Sequence, residues 1–210
     1  RGKMLVVPDC LIDGCMVDQS PKSITFTSSA QDCISTSILG TDGMSMVFSG
    51  ELEVRRRKKV VCRGESYSLK DYNLVIYTPE SQTAAICNDS GSEKIKIITS
   101  WMYDKLNESK QSGFFVPLSG GIDSALSALL VKRLQERMKS ELQVDYPMNS
   151  ILHTAYLKGE HSSIASQALA KRLSLYLNST HYEYDICDII NTFPKSPSTR
   201  ALANATARIR

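Results

Sequence analysis

A short polar run that follows an apolar stretch carries most of the chemistry in this sequence. It reads Ser119-Gly120-Gly121-Ile122-Asp123-Ser124, and we name it the serine–glycine loop. Adjacent glycines let the backbone turn tightly and approach a phosphate closely. A helical pattern follows, whose N-terminus offers free N–H groups and a positive dipole end to an anion. The serines add hydroxyl donors and Asp123 can hold the Mg²⁺ of a polyphosphate, so the loop predicts a site for the pyrophosphate of ATP.

A plain strand-to-helix turn with a serine N-cap is the simpler interpretation of the same residues. The complete S-G-G-x-D-S pattern between a buried strand and a helix is much more specific than a bare Gly-Gly, and it favours the phosphate site. The sequence has no G-x-x-x-x-G-K-[ST] run, which excludes a Walker-type loop. It also has no G-x-G-x-x-G run, which argues against a dinucleotide site of the hydride-transfer kind.

The serine–glycine loop resembles the loop of the PP-loop ATP pyrophosphatases, which cleave ATP between the α- and β-phosphates and release pyrophosphate. Three segments in order narrow the resemblance to glutamine-dependent NAD synthetases of eukaryotic type. Residues 109–125 contain the loop, residues 154–163 match a second strand with a Ser-Ser helix start, and residues 200–210 match a helix of the pattern ALQNIQARIR. Ala203 and Thr206 depart from that helical pattern.

The resemblance implies residues that bind ATP and Mg²⁺. Ser119 is the candidate catalytic residue, because the Ser-Gly-Gly segment would stabilise the leaving pyrophosphate, and Asp123 is the candidate metal ligand. Tyr156 is interpreted either as a stacking platform for the adenine or as a core aromatic at a strand end. Lys158 either meets the α-phosphate or lies exposed before a helix. The expected ATP-binding residues are Pro117, Leu118, Ser119, Gly120, Gly121, Ile122, Asp123, Ser124, Tyr156 and Arg208.

The reaction that the resemblance implies is the ATP-dependent amidation of nicotinic acid adenine dinucleotide to NAD. The carboxylate of the dinucleotide attacks ATP to form an adenylate, pyrophosphate leaves, and ammonia then displaces AMP. In the family this ammonia comes from glutamine. Two alternatives stay open: another PP-loop amidotransferase or thiolase, which Cys187 supports poorly, and a remnant that binds ATP without catalysis.

The first part of the chain resembles the nitrilase-type glutaminase domain of the same family. Residues 2–14 resemble the strand of its general base, with Asp9 in place of Glu, and residues 24–30, 43–50 and 65–72 resemble later segments. Only a few residues separate these segments, where a complete domain has a long middle region with its catalytic Lys and Cys. Cys10, Cys15 and Cys33 have no nucleophile context and are interpreted as small buried hydrophobes. We therefore expect glutamine hydrolysis to be lost.

Periodicity and composition divide the chain into a β-rich part (1–80), a linker (81–93) and a part in which strands and helices alternate (94–210). The resemblance implies that the first is a partial nitrilase-like glutaminase domain and the last an ATP-binding domain of the NAD synthetase type, which we expect to be incomplete at its C-terminus. A helix is predicted over 95–106, with Ile98, Trp101, Met102 and the Lys105 stem on its apolar face. Strands at 114–118, 151–157 and 181–186 then alternate with helices at 122–138, 162–177 and from about 199.

This alternation predicts an α/β fold, a Rossmann-like, doubly wound parallel sheet with helices on both faces, and the resemblance implies that the sheet is of the PP-loop ATPase type. A shortened nitrilase-like α/β segment precedes it. In such sheets ligands bind at the carboxyl ends of the strands, where the serine–glycine loop lies. The predicted topology and the motif therefore indicate the same site.

The composition excludes several classes of protein. A net charge of +3 is too small to indicate a nucleic-acid partner, and no apolar run approaches the length of a membrane span. The first residues do not show the pattern of a signal peptide and the six cysteines include no C-x-x-C pair, so we expect reduced thiols in the cytoplasm. The basic run at 55–59 is interpreted as a hairpin tip. The resemblance implies a homo-oligomer, and we expect both ends of the chain to be cut from a longer protein.

Overall fold

The computed structural model describes residues 12–13, 24–29, 32–36, 39–41, 47–56, 59–71, 90–160 and 162–192. The chain divides into two compact units, Arg1–Lys110 with Glu136–Asp145, and Gln111–Gln135 with Tyr146–Arg210. The strands are β1 (Ile12–Asp13), β2 (Ile24–Ser29), β3 (Asp32–Thr36), β4 (Leu39–Thr41), β5 (Val47–Ser49), β6 (Leu52–Arg56), β7 (Lys59–Arg63), β8 (Phe114–Pro117), β9 (Leu152–Lys158) and β10 (Thr180–Asp185). The helices are α1 (Ser90–Ser109), α2 (Ile122–Leu142), α3 (Met148–Ile151), α4 (Ile164–Leu177) and α5 (Cys187–Asn191). None of these helices combines the length and the apolar character that crossing a bilayer requires.

The strands of the first unit form antiparallel sheets. β2, β3, β6 and β7 are successive neighbours in one sheet, and β1, β5 and β4 are neighbours in another. The described residues of the basic run, Arg55, Arg56 and Lys59, lie where β6 ends and β7 begins, and Arg56 pairs with Lys59. The hairpin tip predicted from the sequence is therefore confirmed.

Glu53 is a buried carboxylate on β6 that two arginines hold. Its Oε2 accepts a hydrogen bond from Arg55 Nη2 at 2.7 Å, and its Oε1 accepts one from Arg63 Nη2. Burial alone would raise the pKa of Glu53, but the hydrogen bonds from Arg55 and Arg63 outweigh it and lower the pKa below its ordinary value of 4.5. The ionised form of this carboxylate therefore stabilises the folded sheet.

A cavity of about 160 Å³ in the first unit is bordered by two carboxylates, those of Asp71 and Asp104. Burial raises the pKa of Asp104 above its ordinary value of 3.8, and the negative charges of Glu108 and Asp71 raise it further. A hydrogen bond from Thr41 acts in the opposite direction without cancelling the increase. The ionised form of Asp104 therefore destabilises this unit.

The buried face of α1 carries hydroxyl groups because an arginine packs against it. The helix predicted over 95–106 is confirmed as part of the longer α1; of its apolar residues Met102 is buried, whereas Ile98 and Trp101 are each 37% exposed. Thr99 takes their place and is fully buried. Arg137 Nη1 donates to Thr99 Oγ1 at 2.7 Å and to the carbonyl oxygen of Lys96 at 2.9 Å, and a hydrophobic side chain at position 99 would remove the shorter of these two hydrogen bonds.

Arg137 and Glu141 form a partly buried ion pair near the end of α2, with 2.7 Å between Nε and Oε1. Arg137 Nη2 also donates to the carbonyl oxygen of Tyr67, and Glu141 Oε2 accepts from the backbone N–H of Leu69 at 2.8 Å. Tyr67 is a buried residue with a φ of 57°, a conformation that costs free energy for a non-glycine residue. The ion pair holds this turn in its place.

The second unit contains the predicted parallel sheet. Its strands lie in the order β10-β9-β8, and both neighbouring pairs are parallel. In the register, Phe114 lies opposite Leu152, and His153 lies opposite Thr180. Helices separate the three strands along the chain, so the α/β fold with a parallel sheet is confirmed.

Two short helices lie where the sequence analysis predicts none. α3 occupies Met148–Ile151, so β9 begins at Leu152, and α5 occupies Cys187–Asn191 directly after β10. Such short helices give too few turns for an apolar period to stand out. The helix predicted from about residue 199 lies outside the described residues.

Helix α4 covers one face of the parallel sheet. Thr154 Oγ1 of β9 lies 3.3 Å from Ser174 Oγ of α4, and both residues are buried. On the opposite face the rings of Tyr182 and Tyr184 stack, and Tyr184 is 49% exposed. A helix over this second face stays a prediction.

Candidate nucleotide-binding site

The serine–glycine loop begins where β8 ends, at the carboxyl edge of the parallel sheet. Pro117 is the last residue of β8 and is exposed. Leu118 is buried, and its backbone N–H donates to the carbonyl oxygen of Ala155 at 2.7 Å. This hydrogen bond joins the start of the loop to the neighbouring strand β9, at the edge where parallel sheets bind their ligands.

The two serine hydroxyls of the loop lie side by side, with 3.2 Å between Ser119 Oγ and Ser124 Oγ. The backbone N–H of Ser119 donates to Ser124 Oγ at 3.2 Å, and the N–H of Gly121 donates to Ser119 Oγ at 3.3 Å. These distances are long for hydrogen bonds to a hydroxyl. The groups are also accessible to solvent, so an incoming phosphate oxygen can replace these weak internal bonds with stronger ones.

Both the backbone conformation and the neighbouring atoms require a glycine at position 120. Its φ is +78°, which residues with a Cβ rarely adopt. A Cβ at this position would lie 2.6 Å from the carbonyl oxygen of Ser166 and 2.9 Å from Ser166 Cα. The second glycine, Gly121, meets only Ser119 Oγ at 3.3 Å, so the steric demand falls on the first glycine.

Helix α2 begins inside the loop, at Ile122, and its first N–H groups have no partner within the helix. Ile122 is 83% exposed, and Asp123 is exposed in the same first turn. Carboxylate and hydroxyl oxygens are the hard donors that Mg²⁺ prefers, so this donor set fits the metal. The described residues contain no group of three His, Cys, Asp or Glu side chains that could hold an ion. Asp123 would therefore share Mg²⁺ with phosphate oxygens and water, as is usual for a metal that travels with ATP.

Tyr156 lies near the end of β9 and is 3% exposed. Its hydroxyl is hydrogen bonded to Ser166 Oγ at 2.7 Å. A ring buried to this degree offers no free face to an adenine base. Of the two interpretations of Tyr156, the structure favours the core aromatic over the stacking platform.

The first turn of α4 lies against the serine–glycine loop, and the sequence analysis did not assign it a role in the site. Ser163 is the N-cap, and its Oγ accepts from the backbone N–H of Ser166 at 3.1 Å. Ser166 in turn contacts Gly120, as the position of the missing Cβ shows. A serine directly before a helical pattern is a signal for the cap, but no local pattern signals the contact with Gly120.

Lys158 and Cys187 both interact with Asp185 at the end of β10. Lys158 Nζ lies 3.4 Å from Asp185 Oδ2, and both side chains are more than half exposed. The backbone N–H of Cys187 lowers the pKa of Asp185, and a hydrogen bond with Asp185 raises the pKa of the Cys187 thiol. A raised pKa leaves less thiolate at neutral pH, which argues against Cys187 as a sulfur-transfer nucleophile.

Several residues that the sequence analysis singled out lie outside the described residues. Arg208, one of the expected ATP-binding residues, is one of them, as are Asp9, Cys10 and Cys15 of the glutaminase-like segment. Cys33 belongs to β3, but its side chain is not described. Their roles stay predictions.

Sequence comparisons relate the chain to enzymes of NAD synthesis. The NAD synthase family matches residues 94–210, which is more than half of the chain. A glutamine-dependent NAD(+) synthetase of Drosophila melanogaster is 32% identical over 114 residues, and that of Mus musculus is 32% identical over 109 residues. These matches cover 43% and 41% of this chain but 14% and 15% of the two relatives. The chain spans less than a third of the length of the curated relatives it matches.

Solved structures show the same fold. A glutamine-dependent NAD(+) synthetase from Cytophaga hutchinsonii superposes with a TM-score of 0.66 at 19% identity. The match covers 84% of this chain and 33% of the synthetase. The synthetase from Acinetobacter baumannii, in complex with adenosine diphosphate, has a TM-score of 0.62 at 19% identity. The match covers 82% of this chain and 32% of the synthetase. Together with the extent of the sequence match, the serine–glycine loop at the carboxyl edge of a parallel sheet places the chain in the NAD synthase family.

Proposed function

We propose that this chain binds ATP at the serine–glycine loop and uses it to amidate nicotinic acid adenine dinucleotide to NAD. The observation that carries the proposal is the paired, accessible hydroxyls of Ser119 and Ser124 beside the N-terminus of α2. They lie at the carboxyl edge of a parallel sheet in a member of the NAD synthase family. The adenosine diphosphate bound to the A. baumannii relative agrees with a nucleotide as the ligand.

The loop would act on the first chemical step. A carboxylate oxygen of the dinucleotide attacks the α-phosphorus of ATP, the bond to the bridging oxygen breaks, and pyrophosphate leaves with that electron pair. Backbone N–H groups of the loop and the hydroxyl of Ser119, our candidate catalytic residue, would donate hydrogen bonds to the negative charge that develops on pyrophosphate. Asp123 would hold Mg²⁺, which neutralises phosphate charge when bound.

The second step would form the amide. The nitrogen of ammonia attacks the acyl carbon of the adenylate, AMP leaves, and the nitrogen loses a proton to give the amide of NAD. Free ammonia is the proposed nitrogen source here, because Asp9 replaces the glutaminase base and the cysteines of the first segment have no nucleophile context. Release of glutamate from glutamine by the purified chain, above a protein-free blank, would contradict the proposed loss of glutaminase activity.

We also propose a reducing, cytoplasmic location and assembly into a homo-oligomer. Two cysteines of the described residues, Cys62 and Cys187, are free thiols, which agrees with a reducing compartment. Sedimentation of the purified chain would test the assembly, and a monomer at micromolar concentration would contradict it.

Exchange of labelled pyrophosphate into ATP tests the adenylating step. The chain is assayed with Mg²⁺ and nicotinic acid adenine dinucleotide, beside Asp123→Ala, Ser119→Ala and the control Ser127→Ala. Ser127 lies one turn further along α2, where its hydroxyl donates to the carbonyl oxygen of Asp123 at 3.0 Å. We expect exchange that requires the dinucleotide, persists in the control, is lost in Asp123→Ala and falls about a hundredfold in Ser119→Ala. Exchange without the dinucleotide would refute this substrate, and equal exchange in all four proteins would refute the site.

A further inference from the structure

We propose that Tyr156 is a positioning residue for the serine–glycine loop and that it acts through Ser166, in the first turn of α4. The inference rests on the proposed function, since the loop it positions is the proposed phosphate site. The group that acts is the phenolic hydroxyl rather than the ring. Tyr156 would not touch ATP, but would fix the backbone that does.

The first link is the hydrogen bond between Tyr156 Oη and Ser166 Oγ, at 2.7 Å. Tyr156 belongs to β9, the central strand of the three, and is 3% exposed. A buried hydroxyl needs a partner, because leaving it unpaired costs free energy. Ser166 is the nearest partner, while the carbonyl oxygen of Ser163 lies further from Tyr156 Oη, at 3.4 Å.

The second link is a backbone contact between Ser166 and Gly120. A Cβ built on Gly120 would lie 2.6 Å from the carbonyl oxygen of Ser166 and 2.9 Å from its Cα. The two backbones therefore touch with no side chain between them. A displacement of Ser166 would either shift Gly120 or open a gap beside it. A shift of Gly120 would also move the neighbouring N–H groups of the loop.

The first turn of α4 depends on polar bonds because little of it is packed. Ile164, its first residue, is 86% exposed, and the cap Ser163 is exposed as well. The cap bond from the N–H of Ser166 to Ser163 Oγ is 3.1 Å long and lies within the turn itself. The hydrogen bonds of Tyr156 Oη, to Ser166 Oγ at 2.7 Å and to the carbonyl oxygen of Ser163 at 3.4 Å, tie this turn to the central strand, where the backbone is held on both sides by neighbouring strands.

Removal of the two hydroxyls tests the inference. Tyr156→Phe, Ser166→Ala and the double variant are compared with wild type, and Tyr182→Phe is the matched control. Tyr182 lies on the opposite face of the same sheet, where its hydroxyl is 3.5 Å from His153 Nδ1. Amide hydrogen exchange of the loop is measured without nucleotide, and the dissociation constant of MgATP is measured by equilibrium dialysis.

We expect loop amides to exchange about threefold to tenfold faster in Tyr156→Phe, and MgATP to bind more weakly by a similar factor, as the loss of one hydrogen bond predicts. The double variant should be no worse than the poorer single variant, because both changes remove the same link. Tyr182→Phe should match wild type in both measurements.

A purely structural role for Tyr156 would lower the unfolding temperature of Tyr156→Phe but leave loop exchange and MgATP affinity unchanged, and this result would overturn the inference. Additive effects of the two single changes would overturn it as well. If the wild-type chain does not bind MgATP, the proposed function fails, and loop exchange in Tyr156→Phe still decides the positioning role by itself.

Discussion

Replacing Gly120 by alanine is expected to destabilise the second unit by about 2 to 5 kcal/mol. A residue with a Cβ at a φ of +78° costs roughly 1 to 2 kcal/mol. The new methyl group would also lie 2.6 Å from a backbone oxygen of Ser166, which cannot rotate away, and overpacking of this kind costs about 1 to 3 kcal/mol. The sum is a large fraction of the roughly 5 to 15 kcal/mol that keeps a domain folded.

Urea denaturation followed by circular dichroism measures this loss, with Gly121→Ala as the matched control. The added methyl group of the control would meet only Ser119 Oγ, at 3.3 Å, and that hydroxyl can rotate. We expect the control to stay within about 0.5 kcal/mol of wild type. Equal stability of Gly120→Ala and wild type, or an equal loss in both variants, would refute the assignment of the steric demand to Gly120.

The remaining predictions concern charged groups and use unfolding midpoints. Burial lowers the pKa of His181 below 6.5, so this side chain binds a proton more tightly in the unfolded chain than in the folded one. The thermal midpoint should therefore fall as the pH drops below 6.5, and it should fall less steeply in His181→Asn. The pKa of Glu53 is also lowered, so its contribution to stability is complete above pH 4.5 and is lost in more acidic buffer. The fall of the unfolding midpoint below pH 4.5 should therefore be smaller in Glu53→Gln, and an unchanged fall would contradict this. The pKa of Asp104 is raised, so Asp104 favours folding only while it is protonated, and this contribution is lost as the pH rises through the pKa of the folded form. Asp104→Asn should therefore raise the midpoint at about pH 7 but not at about pH 3. Arg137→Met removes the ion pair with Glu141, which keeps its hydrogen bond from the N–H of Leu69, and should cost about 1 to 3 kcal/mol in urea; stability equal to wild type would contradict a stabilising role for this ion pair.

The parts of the site that follow from local sequence could be predicted. An apolar strand, two glycines and a helical period occupy neighbouring positions, so β8, the serine–glycine loop and the start of α2 are found where the pattern indicates them. The alternation of strands and helices over the following residues gives the parallel sheet in the same way.

Contacts between distant residues could not be predicted, because no local period records them. Ser166 contacts Gly120 at the sheet edge, and the sequence around either residue gives no sign of that contact. On α1, an apolar stripe is the ordinary expectation for a buried face, yet Thr99 is buried there and Trp101 is partly exposed. The cause is Arg137, which lies on another helix and needs acceptors on that face.

The central claim is that the serine–glycine loop holds the phosphates of ATP, and a nuclear magnetic resonance titration of the amide groups with MgATP tests it most directly. We predict that the amides of Ser119, Gly120, Gly121 and Ser124 show the largest shifts, that they saturate together, and that AMP fails to reproduce them because it lacks the pyrophosphate. Saturating shifts confined to other parts of the chain, or the same loop shifts with AMP as with MgATP, would contradict the claim.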